Sequence, residues 1–207
     1  MDEATYQRNQ EAVESENRFV LKCKNTDRVL LFTDKGNMHQ IKCQDVPLGK
    51  FKDKGVPIDN ISKYNANQED IIYANVKSAL QGKTLIFATK DAMVKLVETT
   101  EFETANKLVA ATKLNEGDQL IEIQEMGYET DIVFETHEGY FLRCSLSDIP
   151  VQKKNSKGVI AMKLGKSDTL EHFYLLGTEP VEISYKKKPL SLSRLKLAGR
   201  AGKGTKH

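Results

Sequence analysis

Three times along the chain a short apolar run gives way to Thr-x-x-Gly, with Ala for Gly in the second copy, and then to a mixed second run. The copies are Val29-Leu-Leu-Phe-Thr-Asp-Lys-Gly36, Leu85-Ile-Phe-Ala-Thr-Lys-Asp-Ala92 and Ile132-Val-Phe-Glu-Thr-His-Glu-Gly139. Runs of this length around a short polar turn predict two antiparallel strands joined as a β-hairpin. A lone hairpin is marginal in water, so copies spaced by tens of residues are expected to stack around a shared core. The last turn position often takes positive φ, which glycine accepts freely. Ala92 therefore predicts either mild strain or a different loop geometry.

Each repeat extends beyond its hairpin. A polar bridge leads to a third run, Lys54–Ile61, Lys107–Leu114 or Lys157–Leu164. A spacer carrying Asp70, Asp118 or Asp168 then precedes the apolar residues Ile71-Ile72, Leu120-Ile121 or Leu170–Leu176. Four short strands per unit is the size of a propeller blade. The expectation is an all-β, propeller-like domain of about four four-stranded blades, over residues 17–80, 81–126, 127–170 and 171–207. The fourth copy is weaker: it is read from His172-Phe-Tyr-Leu-Leu-Gly-Thr178, where the turn Thr-Glu-Pro-Val has lost its glycine. Residues 1–16 are polar and rich in Glu and Gln, and are read as a leader or linker, either a short helix or loose chain.

Bulk properties narrow the class. The chain has 207 residues, 39% hydrophobic and 29% charged, which suits a soluble globular protein with one assembly of repeats. No apolar stretch approaches the ~18 residues of a membrane span, and no signal peptide begins the chain, so a cytoplasmic protein without membrane contact is expected. Cys23, Cys43 and Cys144 are odd in number and form no Cys-x-x-Cys, which reads as reduced thiols buried as small hydrophobes.

The net charge of +2 conceals a strong polarity. Residues 1–16 carry five acids against Arg8, whereas residues 183–207 carry eight Lys and Arg and no acid. A basic end on a soluble protein invites a polyanion. The bridges carry the same bias. The first holds Lys50, Lys52 and Lys54, the second only Lys107, and the third Lys153, Lys154 and Lys157; the fourth holds Arg194, Lys196, Arg200 and Lys203. Bridges at equivalent places in stacked repeats are expected along one rim, where these eleven residues would form a positive track for a phosphate backbone.

Other chemistry is not supported. Gly199-Arg-Ala-Gly-Lys-Gly-Thr205 lacks the spacing of a Walker A loop and the Ser or Thr after its lysine; this tail is expected to be flexible. His39, His137, His172 and His207 show no metal-ligand spacing, and no nucleophile is paired with a base. No catalytic residue or metal site is assigned.

Leu30-Leu-Phe-Thr-Asp-Lys-Gly36, the Asp-Val-Pro and Asp-Ile-Pro at 45–47 and 148–150, and Lys-Gly-Val at 54–56 and 157–159 resemble one family. They are similar to the β-pinwheel repeats at the C-terminus of bacterial type IIA topoisomerase A subunits, those of gyrase and topoisomerase IV, over residues 17–207. The resemblance implies a nucleoid-associated domain that binds and bends duplex DNA. It would present that DNA to the catalytic core of its own polypeptide, with the ATPase B subunit completing a heterotetramer. ATP and Mg would serve only that intact enzyme, and this chain would hold no cofactor and no catalytic core. In this family gyrase carries a seven-residue box close to Gln-Arg-Arg-Gly-Gly-Lys-Gly. Ala198–Gly204 matches it only at Arg200, Gly202, Lys203 and Gly204, which favours topoisomerase IV. The alternatives are a gyrase domain with a degenerate box and a propeller-type protein-interaction module.

Overall fold

The computed structural model describes all 207 residues. Helices α1 (Glu3–Arg8) and α2 (Gln10–Glu16) occupy the polar N-terminal stretch, where α2 buries Val13. Fourteen short strands follow. The first repeat gives β1 (Arg28–Thr33), β2 (Asn37–Lys42) and β3 (Ile71–Val76). The second gives β4 (Thr84–Thr89), β5 (Met93–Glu98), β6 (Leu108–Ala110) and β7 (Leu120–Met126). The third gives β8 (Asp131–Thr136), β9 (Tyr140–Ser145), β10 (Val159–Ile160) and β11 (Leu170–Leu176). The last stretch gives β12 (Glu182–Tyr185), β13 (Lys188–Ser191) and β14 (Thr205–Lys206).

The hairpins β1–β2, β4–β5 and β8–β9 fall where the three copies predict them. The repeated threonine ties each turn together. Thr33, Thr89 and Thr136 are buried, and each Oγ1 accepts the N–H of the residue after the turn, Asn37, Met93 or Tyr140. The spacer aspartates Asp118 and Asp168 accept the N–H of turn residues Asp91 and Glu138. Ala92 adopts φ 57°, matching Gly36 (74°) and Gly139 (82°). The strain alternative therefore holds, and the loop geometry is unchanged. The Ala92 methyl packs fully buried in the core, which offsets part of the left-handed cost.

The expected all-β, propeller-like architecture is present, but its strands are shared differently. The sheets have the orders β3-β1-β2-β6, β10-β5-β4-β7 and β11-β8-β9-β14, followed by the two-stranded β12-β13. The third run of each repeat does not complete its own blade. It crosses to the preceding blade and adds to the outer edge of that blade's second hairpin strand: β6 on β2, β10 on β5, β14 on β9. In the first repeat the same run, Lys54–Ile61, forms no strand and contains only a 3-10 turn at Ile58–Asn60.

The fourth blade also differs from expectation. Phe173–Leu176 belongs to β11, the inner strand of the third blade, and Thr178–Val181 is a connection rather than a turn. The fourth hairpin is β12–β13, turning at Lys186 and Lys187, both at positive φ, and it has two strands instead of four. The basic tail is likewise ordered, pairing Thr205 and Lys206 with β9.

Cores lie between blades. Leu30, Phe32, Leu85, Phe87, Phe102 and Leu120 pack between the first and second, with Phe32 and Phe102 edge to face at 5.1 Å. Ile86, Val94, Ile132, Phe134, Ile149 and Phe173 pack between the second and third. The outer face of the first blade, Leu31, Ile41 and Ala74, is covered by the chain's own Phe19, Leu21, Ile58 and Ile61. Cys144 is buried, and burial pushes its thiol up to about 12. Cys23 is exposed and Cys43 half-buried, so the buried-thiol expectation fits Cys144 alone.

Candidate nucleic-acid interface

The second, third and fourth bridges each bond to the fourth residue of the preceding blade's second hairpin strand. The third and fourth do so through segments parallel to that strand at Val151 and Leu197, the second through Lys107, where antiparallel β6 begins. The backbone of Gln40 donates to Lys107 O (2.8 Å), that of Leu96 to Pro150 O (3.1 Å), and that of Arg143 accepts from Ala198 N (2.9 Å). Gln40, Leu96 and Arg143 occupy equivalent places in β2, β5 and β9, each the fourth residue of its strand. Side chains of those strands reinforce the seating. Gln40 Nε2 reaches the Thr104 carbonyl at 3.3 Å. Arg143, paired with Asp131 at 2.6 Å, donates to the carbonyls of Ser193 (2.6 Å) and Leu195 (3.3 Å). In β5 the donor comes from the neighbouring position. Lys95 Nζ donates to the carbonyls of Lys153 (3.2 Å), Lys154 (2.9 Å) and Ser156 (2.8 Å).

The seating depends on glycine at two places. Gly158 lies so close to β5 that a Cβ would stand 2.6 Å from Val94 O, and at Gly204 it would stand 2.4 Å from Phe141 O. Val94 and Phe141 are equivalent residues of the second hairpin strands. The Lys-Gly pairs 157–158 and 203–204 are thus the same device, and the tail resembling a phosphate loop is the fourth bridge entering its blade.

The second, third and fourth bridges also touch one another. Glu101 of the second accepts the Lys154 backbone N–H (3.2 Å) and pairs with its ammonium at 3.5 Å. Arg200 of the fourth donates to the carbonyls of Asp148 and Ile160 on the third repeat. The three bridges joined by these contacts carry Lys107, Lys153, Lys154, Lys157, Arg194, Lys196, Arg200 and Lys203. Lys154 and Arg200 are partly buried and already partnered; the other six are exposed. Lys203 rests over the Tyr140 ring at 5.0 Å.

Lys50, Lys52 and Lys54 are not brought into this group. Their bridge lies on no blade, and its local contacts are Lys50 N to Asp53 Oδ2 and Asp53 N to Lys50 O. The expectation of one rim holding all four bridges is corrected accordingly: three bridges are joined to one another, and the first pairs with no strand.

The opposite edge strand of the second blade, β7, carries Glu122 and Glu125. Glu122 accepts the Phe173 N–H at 3.0 Å, and Glu125 is held by Tyr73, Asn75 and Lys83. Burial pushes the Glu125 carboxyl up, but hydrogen bonds from Lys83 and Tyr73 pull harder and leave it below the usual carboxylate range. In β2 the position of Lys95 is taken by His39, whose Nε2 meets Glu69 at 2.6 Å beneath the Tyr64 ring. Burial raises the Glu69 carboxyl, while hydrogen bonds from Asn37, Thr33 and His39 bring it net lower. Gln40, Lys95 and Arg143 were not foreseen from the sequence as anchors. The available signal was a lysine inside the apolar run Val94-Lys-Leu-Val97.

An array of stacked antiparallel blades with strands exchanged between repeats is a β-pinwheel, propeller-like fold. The family described as DNA gyrase C-terminal domain, beta-propeller, matches residues 27–76, 83–124 and 130–176, and the chain belongs to it. It is 32% identical over 143 residues to the A subunit of DNA gyrase from Lawsonia intracellularis, covering 69% of this chain and 17% of that protein. It is 28% identical over 196 residues to the A subunit of DNA topoisomerase 4 from Streptococcus pneumoniae serotype 4, covering 90% and 24%. The chain thus spans a quarter or less of these relatives' length. Among solved structures, the C-terminal domain of DNA topoisomerase IV superposes with a TM-score of 0.81 at 23% identity, covering 96% of this chain and 67% of that one. No helix is long and apolar enough to cross a membrane.

Proposed function

We propose that this chain is the DNA-binding C-terminal domain of a type IIA topoisomerase, belonging to its A polypeptide, and that it holds and bends duplex DNA along the edge formed by its second, third and fourth bridges. The observation that supports the reading is that three successive bridges, each bonded to the preceding blade and touching one another, carry exposed lysine and arginine. Phosphates of a duplex laid along that edge would meet Lys107, then Lys153 and Lys157, then Arg194, Lys196 and Lys203. Contacts of this kind fix position without reading bases, so selectivity comes from how readily the duplex bends. In the parent enzyme the domain would pass its bound segment to the catalytic core of its own polypeptide, with ATP hydrolysed by the B subunit.

We assign the domain to the topoisomerase IV type. The residues that approximate the gyrase box are occupied structurally: Arg200 binds two carbonyls, Gly202 packs on Leu142 and Gly204 lies on the Phe141 carbonyl. They support a blade contact rather than a free wrapping loop.

The test is a duplex titration by fluorescence anisotropy across a salt series. Each neutralised phosphate contributes about 0.9 to the slope of log K against log salt. Replacing Lys153, Lys154 and Lys157 together by Ala should flatten that slope by about two, because Lys154 is already paired with Glu101. An unchanged slope removes the third bridge from the interface, and no binding at low salt refutes the reading.

A further inference from the structure

Lys95 is a buried cation that no ligand can reach. It is 1% exposed, enclosed between β5 and the third bridge, with the ammonium 5.6 Å from the centroid of the Phe87 ring. An ammonium has three N–H donors, and all three find carbonyls of one loop, at Lys153, Lys154 and Ser156. A buried charge survives only when fully partnered, so this cradle is a condition for Lys95 to stand where it does. The converse has a consequence for the interface. Carbonyls drawn inward toward one point oblige the intervening side chains to leave in the other direction. The exposed lysines of the third bridge, Lys153 and Lys157, stand at the two ends of this clamped loop.

The other anchors are built differently. Gln40 is neutral and reaches the poorly basic second bridge, while the Arg143 charge is balanced by Asp131. Lys95 alone places an unbalanced buried charge beneath three further lysines, an arrangement that costs electrostatic energy and that a leucine or methionine would avoid.

We propose that Lys95 is a positioning residue of the interface: it gathers the backbone of residues 153–156 and thereby holds Lys153 and Lys157 outward for phosphate contact. The inference rests on the DNA-binding reading for its purpose, and on geometry alone for the clamp. The ionisable groups facing the ammonium are Glu101 on the second bridge and Lys154, paired to each other. Burial pulls the Lys95 pKa down to about 8, with Glu101 partly opposing. At neutral pH the ammonium is present, and it discharges over roughly pH 7 to 9, where surface lysines keep their protons.

The experiment compares the wild-type chain, Lys95→Met, the bridge variant with Lys153, Lys154 and Lys157 all changed to Ala, and the combination. Two readouts are taken: duplex affinity over a salt series, and hydrogen exchange of the amides at 153–157. Lys95→Met should speed exchange in the bridge by about tenfold, weaken DNA binding several-fold and flatten the salt slope by about one. In the bridge variant background Lys95→Met should change affinity no further, since the side chains it positions are gone. Wild-type affinity should fall as pH rises from about 7 to 9, and that fall should vanish in Lys95→Met. This pH arm needs only wild-type protein if the methionine variant does not fold.

Unchanged exchange at 153–157 in Lys95→Met, or a wild-type affinity flat over that pH range, overturns the clamp. An equal loss of affinity in both backgrounds also overturns it, in favour of general destabilisation. If wild-type protein fails to bind duplex at low salt, the DNA-binding reading falls and the proposed purpose with it, while the exchange data still decide the clamp by themselves.

Discussion

The third bridge and the first have nearly the same sequence grammar and opposite fates. Asp148-Ile-Pro-Val151 and Lys157-Gly-Val159 dock on β5; Asp45-Val-Pro-Leu48 and Lys54-Gly-Val56 dock on no strand. Ile149 is 3% exposed, whereas its counterpart Val46 is 46% exposed; Leu48, the counterpart of Val151, is 95% exposed. A Cβ on Gly158 would strike a carbonyl, and one on Gly55 would meet nothing within 4 Å. The segment's structure is therefore supplied by the blade it lands on. Its own residues specify what it can join, and only an acceptor edge makes it a strand.

That contrast can be broken at several points. The largest effect is expected at Ile149→Ala, which empties a buried site between blades and should cost about 3 kcal/mol, against under about 0.5 kcal/mol for Val46→Ala. Urea unfolding of both variants checks this, and equal losses would mean the first bridge is packed in solution. Gly158→Ala should cost about 2–3 kcal/mol from the carbonyl clash and its φ of 91°, whereas Gly55→Ala should cost only the left-handed penalty of about 1 kcal/mol. A shift in melting temperature reads the difference directly. The smallest effect belongs to Leu48→Ser, which should leave stability within about 0.5 kcal/mol. A clear loss there would show that this leucine is covered.

The same contrast explains what was legible in the sequence. Hairpins are local, and their signal lies in consecutive residues: Thr33, Thr89 and Thr136 with the turns that follow them. The crossing of β6, β10 and β14 to the preceding blade is a pairing across many tens of residues, and no period in Leu108–Ala110 or Val159–Ile160 records which edge receives it. The fourth hairpin was misplaced because Phe173–Leu176 is apolar like a first hairpin strand, although it serves as the inner strand of the blade before. Its true turn, Lys186-Lys187, carries no glycine to announce it. The basic residues of the seated bridges were visible as charge, but their grouping depends on the acceptor strands, and so Lys50, Lys52 and Lys54 were joined to an edge they do not share. Lys95 went unread because a lysine in a strand is ordinarily solvent-facing; only the incoming loop makes it interior.

Exchange of strands between repeats also sets an order of events during synthesis. The edge of β2 stays open until Leu108–Ala110 has been made, that of β5 until Val159–Ile160, and that of β9 until Thr205–Lys206. Each blade is thus finished one repeat late, by chain that has only just left the ribosome. Pairings over such separations form slowly, and an open strand edge invites a wrong partner. Delay during translation between one hairpin and the next donor strand is the interval in which this molecule is most exposed to misassembly, and it recurs once per repeat.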